Sequence, residues 1–176
     1  MSIAAANPAA AAHALRYGGK DDSRTSKHDS FRAVRGTDQL LANRQEPPLG
    51  SHLVTPRRGY LHHGIYVGGC QVVHYAGLAH GLRGGAVEEV PLARFARGQR
   101  VWTRPCMPSA FDVPEVICRA RSRVGEDCYR LLTNNCEHFC EWCLSGTARS
   151  FQVEAWLARP RRALRATLRL LIQTIT

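Results

Sequence analysis

His62-His63-Gly64-Ile65-Tyr66-Val67-Gly68-Gly69-Cys70-Gln71-Val72-Val73-His74-Tyr75 is the stretch that decides the fold. Leu61 to Val67 and Gln71 to Tyr75 are rich in β-branched and aromatic residues, and Gly68-Gly69 between them signals a turn. The pattern is that of a β-hairpin. Centred on Gly68, the hairpin sets His62 opposite His74, on one face with Gly64 and Tyr66, with side chains about 5 Å apart. A slip of one residue would send the two histidines to opposite faces.

A second informative stretch is Asn134-Asn135-Cys136-Glu137-His138-Phe139. Asn134 is a good N-cap residue, and Glu137 three positions on completes a capping-box-like pattern. The expected helix runs from about 135 to 144 and stops at Gly146. Cys136 lies in its first turn, where the helix dipole is expected to lower the thiol pKa. Phe139, Cys140, Cys143 and Leu144 share its side of the helix, so Cys136 is expected to point inward. A helix that packs on the hairpin would bring a thiol nucleophile to two imidazoles, one of them its base.

The chain of 176 residues suits one domain with tails. Residues 1–48 are Ala-rich, then polar and charged, and end at Pro47-Pro48; they read as a disordered tail. The folded domain is expected over 49–154. Leu53-Val54, Glu88 to Val90 and Val101-Trp102 are further strand candidates. Asp112-x-Pro114-Glu115 opens a helix whose apolar positions Val113, Val116, Ile117, Ala120 and Val124 run toward Gly125. The fold class is α+β, an antiparallel sheet packed against helices.

Three separated motifs carry a family resemblance: His62-x-x-Ile65-Tyr66-Val67-Gly68, the twelve-residue step to His74, and Asn135-Cys136-Glu137-His138-Phe139. In this order they resemble the lecithin:retinol acyltransferase-like family, over roughly residues 50 to 154. Bacterial proteins form part of that family, and Arg83 to Leu92 resembles the strand-plus-helix insert of the bacterial members. The resemblance implies a circularly permuted, papain-like fold of the NlpC type. It also implies roles: Cys136 the nucleophile, His62 the general base, His74 the orienting histidine, and Asn135 a support for the oxyanion beside the Cys136 N–H. His63 stands where the family often carries an aromatic residue. Its side chain faces away from His62, and it reads as a surface or supporting residue.

The chemistry so implied is two-step acyl transfer through a thioester, from a phospholipid-type ester to water, an alcohol or an amine. An amidase or peptidase of the NlpC-type superfamily is the alternative, and a non-catalytic lipid-binding module on the same fold is a third. No cofactor is called for. Cys136, Cys140 and Cys143 share a helix face, but no second cysteine pair exists to complete a zinc site, so no metal is expected.

The seven cysteines are odd in number and form no disulfide framework. Met1 to Ala14 lacks the basic and apolar regions of a secretory signal, which favours a reducing, cytoplasmic setting. No apolar run approaches the ~18 residues of a transmembrane helix. Residues 155–176 read as a basic amphipathic helix: Arg159, Arg161, Arg162, Arg165 and Arg169 interleave with Leu164, Leu168, Leu171, Ile172 and Ile175. Such a helix suits either peripheral attachment to an anionic membrane surface or docking on its own domain. The net charge of +10 rests on 22 Arg against 2 Lys. No nucleic-acid motif accompanies it, and no nucleic-acid partner is expected.

Overall fold

The computed structural model describes residues 37–42, 45–77, 84–105 and 109–158. Six antiparallel strands form one open sheet in the order β1-β6-β2-β3-β4-β5: β1 (Gln39–Leu40), β2 (His52–Arg57), β3 (Tyr60–Gly68), β4 (Gln71–Gly77), β5 (Gly85–Pro91) and β6 (Trp102–Arg104). Helices pack on the sheet: α1 (Leu92–Ala96), α2 (Val113–Ser122), α3 (Cys136–Ser145) and α4 (Phe151–Leu157). The fold is α+β, as expected. The sheet begins earlier than the boundary expected at 49. Gln39 and Leu40 pair with Thr103 and Trp102, and Asp38 is buried against Arg104. A two-residue exposed strand carries no alternation for sequence reasoning to detect.

The hairpin of β3 and β4 is buried on both faces, so each parity of its residues meets a different core. Ile65, Val67, Val73 and Tyr75 pack against Val116 and Ala120 of α2 and against Phe139, Cys140, Cys143 and Leu144 of α3. Tyr66 and Val72 join Leu53, Val90, Val101 and the α1 residues Phe95 and Ala96 on the other side. Phe139 is wholly buried, and its truncation to Ala would cost about 3–5 kcal/mol. Gly64 is required by close approach. A Cβ there would come within 2.6 Å of Val72 Cγ1 and 2.9 Å of Phe95 Cε2.

The hairpin register differs from the one centred on Gly68. Ile65 faces Val73 and Tyr66 faces Val72, with an irregularity before Gly68–Gln71. Gly68, Gly69 and Cys70 all have positive φ, so the turn takes one residue more than the glycine pair alone suggests. Continued along the strands, this register sets His74 beside Gly64, and a Cβ on Gly64 would lie 3.3 Å from His74 Cβ. The displacement along β4 is two residues, which preserves the face.

Helix α2 starts where expected, with Asp112 accepting a hydrogen bond from the Glu115 N–H. Helix α3 is capped by Asn135 rather than Asn134, and its capping box is completed by His138 rather than Glu137. Adjacent asparagines offer equivalent caps, and the tertiary partners decide between them. Among the described residues no helix is long and apolar enough to cross a membrane. The basic segment from Arg161 lies outside the described residues, as does the Ala-rich start.

Candidate active site

Each residue of Asn135-Cys136-Glu137-His138 has a distinct task at the head of α3. The Asn135 Oδ1 accepts from the N–H groups of Glu137 and His138, at 2.9 and 3.1 Å. Its Nδ2 donates to the Leu131 carbonyl at 2.8 Å. The Asn135 amide is therefore committed to the cap. His138 Nδ1 accepts from the Asn135 N–H at 3.3 Å, closing the box.

Glu137 turns inward and is 1 % exposed. Arg104 donates to its Oε1 at 3.2 Å while gripping Asp38 with two bonds of 3.1 Å. Ser150 Oγ and the Gln152 N–H donate to Oε2, at 2.6 and 2.9 Å. A buried carboxylate needs such compensation. Here it ties α3 to β6 and to α4, and so fixes the position of Cys136. Sequence reasoning gave Glu137 a place in the capping box. No local signal marks Arg104, Ser150 or Gln152 as its partners.

Cys136 is the first residue of α3 and 3 % exposed. Burial pushes its thiol up to about 12, and the nearby Glu137 charge adds to this; the peptide N–H groups of His63, Cys136 and Glu137 act on the sulfur in the opposite sense. The expected lowering by the helix dipole is thus present but outweighed by desolvation. At neutral pH the thiol is protonated.

His62 and His74 come together on the same face. The His62 Nε2 stands 3.1 Å from His74 Nδ1, and the rings meet edge to face at 4.9 Å between centroids. Phe95 stacks on the His62 ring at 5.3 Å and meets His74 at 5.4 Å. His74 Nδ1 also lies 2.7 Å from the Tyr75 carbonyl, and its Nε2 lies 3.5 Å from Glu88. Burial drives the His62 pKa well below its ordinary value, with the charges of His74 and Arg57 adding to the effect. Burial also lowers His74, against the opposing pull of the Tyr75 carbonyl and Glu88. Both rings are neutral at pH 7.

Cys136 packs with the face that carries α3, whereas the two imidazoles sit on the Phe95 face. They meet where the β3–β4 ladder ends. Its last paired residues are Ile65 and Val73, and beyond them the His63 peptide N–H is directed at the Cys136 sulfur. That N–H belongs to the peptide joining His62 to His63, which puts the thiol next to the backbone of the candidate base.

His63 is not a surface residue. It is fully buried on the α3 face, 2.8 Å from His52 Nε2 through Nδ1 and 2.8 Å from the Gln152 amide nitrogen through Nε2. The Gln152 side chain also donates to the Leu61 carbonyl and accepts from the Leu61 N–H, at 3.2 and 2.9 Å. The result is a scaffold of His52, His63 and Gln152 under the strand that carries His62. Among the described residues no group of three or more His, Cys, Asp or Glu side chains could hold a metal ion.

A family model described as lecithin retinol acyltransferase matches residues 45–149. That span contains the hairpin, β5, α1, β6, α2 and α3, and with them Cys136, His62 and His74. No curated protein matches the chain.

Proposed function

The chain belongs to the lecithin retinol acyltransferase family, and on that premise we propose that it is a cysteine-dependent acyltransferase or hydrolase acting on a phospholipid-type acyl ester. Family membership points to acyl transfer. The finer reading is supported by one arrangement above all: a helix-N-terminal thiol against the peptide that follows His62, with His62 paired to His74.

In the first step the Cys136 S–H proton passes to His62 as the sulfur attacks the ester carbonyl. The tetrahedral oxyanion is stabilised by the Cys136 peptide N–H at the head of α3. Asn135 serves there through the cap, which ties up the Glu137 and His138 N–H groups and fixes that end of the helix. Collapse breaks the ester C–O bond, and the leaving alkoxide takes the proton from His62. A thioester remains on Cys136. Water, an alcohol or an amine then attacks it, with His62 again accepting the proton, and the thiol is restored. Because burial keeps the resting thiol protonated and the imidazole neutral, His62 works as a general base within the step rather than as half of a standing ion pair. His74 shares the charge that His62 acquires, with Glu88 at its far nitrogen and the Tyr75 carbonyl beside the nitrogen that faces His62.

The test is intact-protein mass spectrometry after incubation with a phospholipid of defined chains. The wild type is expected to gain one acyl mass, mapped to Cys136 and released by hydroxylamine. The folded Cys136→Ala variant should gain none. A folded wild type that stays unacylated, or acylation that survives Cys136→Ala, would overturn the reading. Attachment to an anionic membrane through the arginine-rich C-terminal segment is part of the same proposal. Co-sedimentation with anionic vesicles, comparing the full chain with one ending at Arg159, tests it.

A further inference from the structure

Beside the two histidines lies a small pocket whose wall is cationic. Arg57, Arg94 and Arg97 border it together with His62, His74 and Glu88. Three guanidinium groups there face one carboxylate. Arg57 donates to the carbonyls of Pro56 and Ala96, at 3.1 and 3.4 Å, and to that of Phe95. Those partners are neutral, so they hold the charge in place without cancelling it. Arg94 reaches Glu88 only at 3.5 Å.

Arg97 is the most telling of the three. It caps the C-terminal end of α1 with φ +50°, ψ +41°, a left-handed conformation that disfavours a side chain and suits glycine. Gly98 follows immediately, so glycine was available to the chain within one residue. No hydrogen bond or ion pair from the Arg97 side chain is found among the described residues. Arg97 is exposed at the rim of the pocket, with a left-handed backbone and a side chain without a partner among the described residues, which suits an anion that arrives from solvent. A second observation points the same way. His62 Nδ1 is buried without a hydrogen-bond partner, and His62 borders the same space.

We propose that this pocket is a subsite for the phosphate-type anion of the acyl donor, with Arg97 as its principal contact and Arg57 and Arg94 as flanking charges. The proposal rests on the acyl-transfer reading and names the feature of the donor that the site selects. In a glycerophospholipid the phosphate and the acyl esters hang on one three-carbon unit. A phosphate held beside His62 therefore keeps an ester carbonyl near the thiol that His62 serves. Planar guanidinium groups match phosphate oxygens through paired, charge-assisted hydrogen bonds.

The experiment uses the full chain with isotope-labelled histidines and follows the His62 and His74 imidazole resonances. The probes are inorganic phosphate, and short-chain phosphatidylglycerol and phosphatidylcholine kept below their micelle concentrations. Phosphate and phosphatidylglycerol are expected to shift the resonances saturably, and phosphatidylcholine, with its compensating cation, more weakly. The informative variant is Arg97→Gly. It removes the charge and relieves the left-handed backbone together, so it should be at least as stable as the wild type while binding phosphatidylglycerol about tenfold less tightly. Arg94→Gln provides a second variant, with a smaller loss. Unmoved resonances, or equal binding by Arg97→Gly, would overturn the subsite. Binding of inorganic phosphate but of neither lipid would overturn its assignment to the acyl donor. Cys136 acylation in the same samples separates the two readings. Arg97-dependent binding without acylation removes only the catalytic reading; acylation at rates indifferent to Arg97 and to headgroup charge removes only the subsite.

Discussion

His62 Nε2 and His74 Nδ1 stand 3.1 Å apart, and the Tyr75 carbonyl, 2.7 Å from the same His74 nitrogen, decides where the protons sit. A carbonyl oxygen can only accept, so His74 carries its proton on Nδ1. His62 must then present the Nε2 lone pair to that N–H and hold its own proton on Nδ1. The resting dyad is neutral and ordered. For His62 to accept the thiol proton, this contact has to open or its proton has to move.

Nitrogen-15 spectra of the imidazoles at pH 7 should therefore show both rings neutral and both protonated at Nδ1. A cationic His62 at neutral pH would refute the assignment.

The adjacent histidines should separate by function. His62→Gln is expected to slow acyl transfer about 10²–10⁴-fold with little loss of fold. His63→Gln breaks the buried contacts with His52 and Gln152, so its main effect should be on stability. Thermal unfolding and acylation rates, measured on both variants, check this. A larger rate loss from His63→Gln than from His62→Gln would exchange their roles.

Burial makes a definite forecast about thiol reactivity. Cys70, Cys118 and Cys128 are exposed, whereas Cys136, Cys140 and Cys143 are buried. Iodoacetamide at pH 7 should label the exposed three first and Cys136 only slowly, because its thiol is both enclosed and protonated. Peptide mapping over time reads the order. Early labelling of Cys136 would mean a thiolate that this structure does not support.

Glu137→Ala would leave Arg104 without its second carboxylate and remove the anchor of α4. Breaking a buried pair costs about 3–5 kcal/mol, or roughly 10–20 °C in Tm for a domain of this size. Ser150→Ala removes one bond to a charged group, worth about 1.5–3 kcal/mol, and the N-cap of α4, worth about 1 kcal/mol more. Calorimetry decides, and a Glu137→Ala protein as stable as the wild type would contradict the network.

Stability should peak over a neutral plateau. His62, His74 and His138 have lowered native pKa values, so below the unfolded histidine value of about 6.5 the unfolded chain binds more protons and stability falls. Cys136, Cys140 and Cys143 are raised, so stability also falls as pH climbs past the unfolded thiol value of about 8.5. Urea unfolding between pH 5 and 9.5 traces both limbs, and His62→Gln should flatten the acid one. A flat profile down to pH 5 would contradict the buried neutral rings.

What was legible in the sequence was periodic or local. The β-branched and aromatic runs Leu61 to Val67 and Gln71 to Tyr75, with a glycine pair between them, disclosed the hairpin and the shared face of His62 and His74. The apolar spacing of Phe139, Cys140, Cys143 and Leu144 disclosed the inward face of α3. The turn length was not legible, because Cys70 adopts a positive φ that composition does not announce. Nor was the state of the Cys136 thiol, since burial comes from the whole packed domain while the helix dipole can be read from a few residues. Glu137 was misread because its partners Arg104, Ser150 and Gln152 lie on other elements, with no period linking them.

Gln152 gives the boundary of the functional unit a practical meaning. The family match ends at residue 149, yet the side chain that pairs with both peptide groups of Leu61, and touches His63, comes after it. In effect a side-chain amide stands in for one residue of a neighbouring strand beside the strand that carries the histidines. A chain trimmed to the matched stretch would keep Cys136, His62 and His74 but lose the clasp between them, along with Ser150 beneath Glu137. Motif content would survive such a cut, but the packing that sets Cys136 beside the strand of His62 would lose its support, so under the proposed acyl transfer a chain ending at residue 149 is expected to be less active than one that extends through α4.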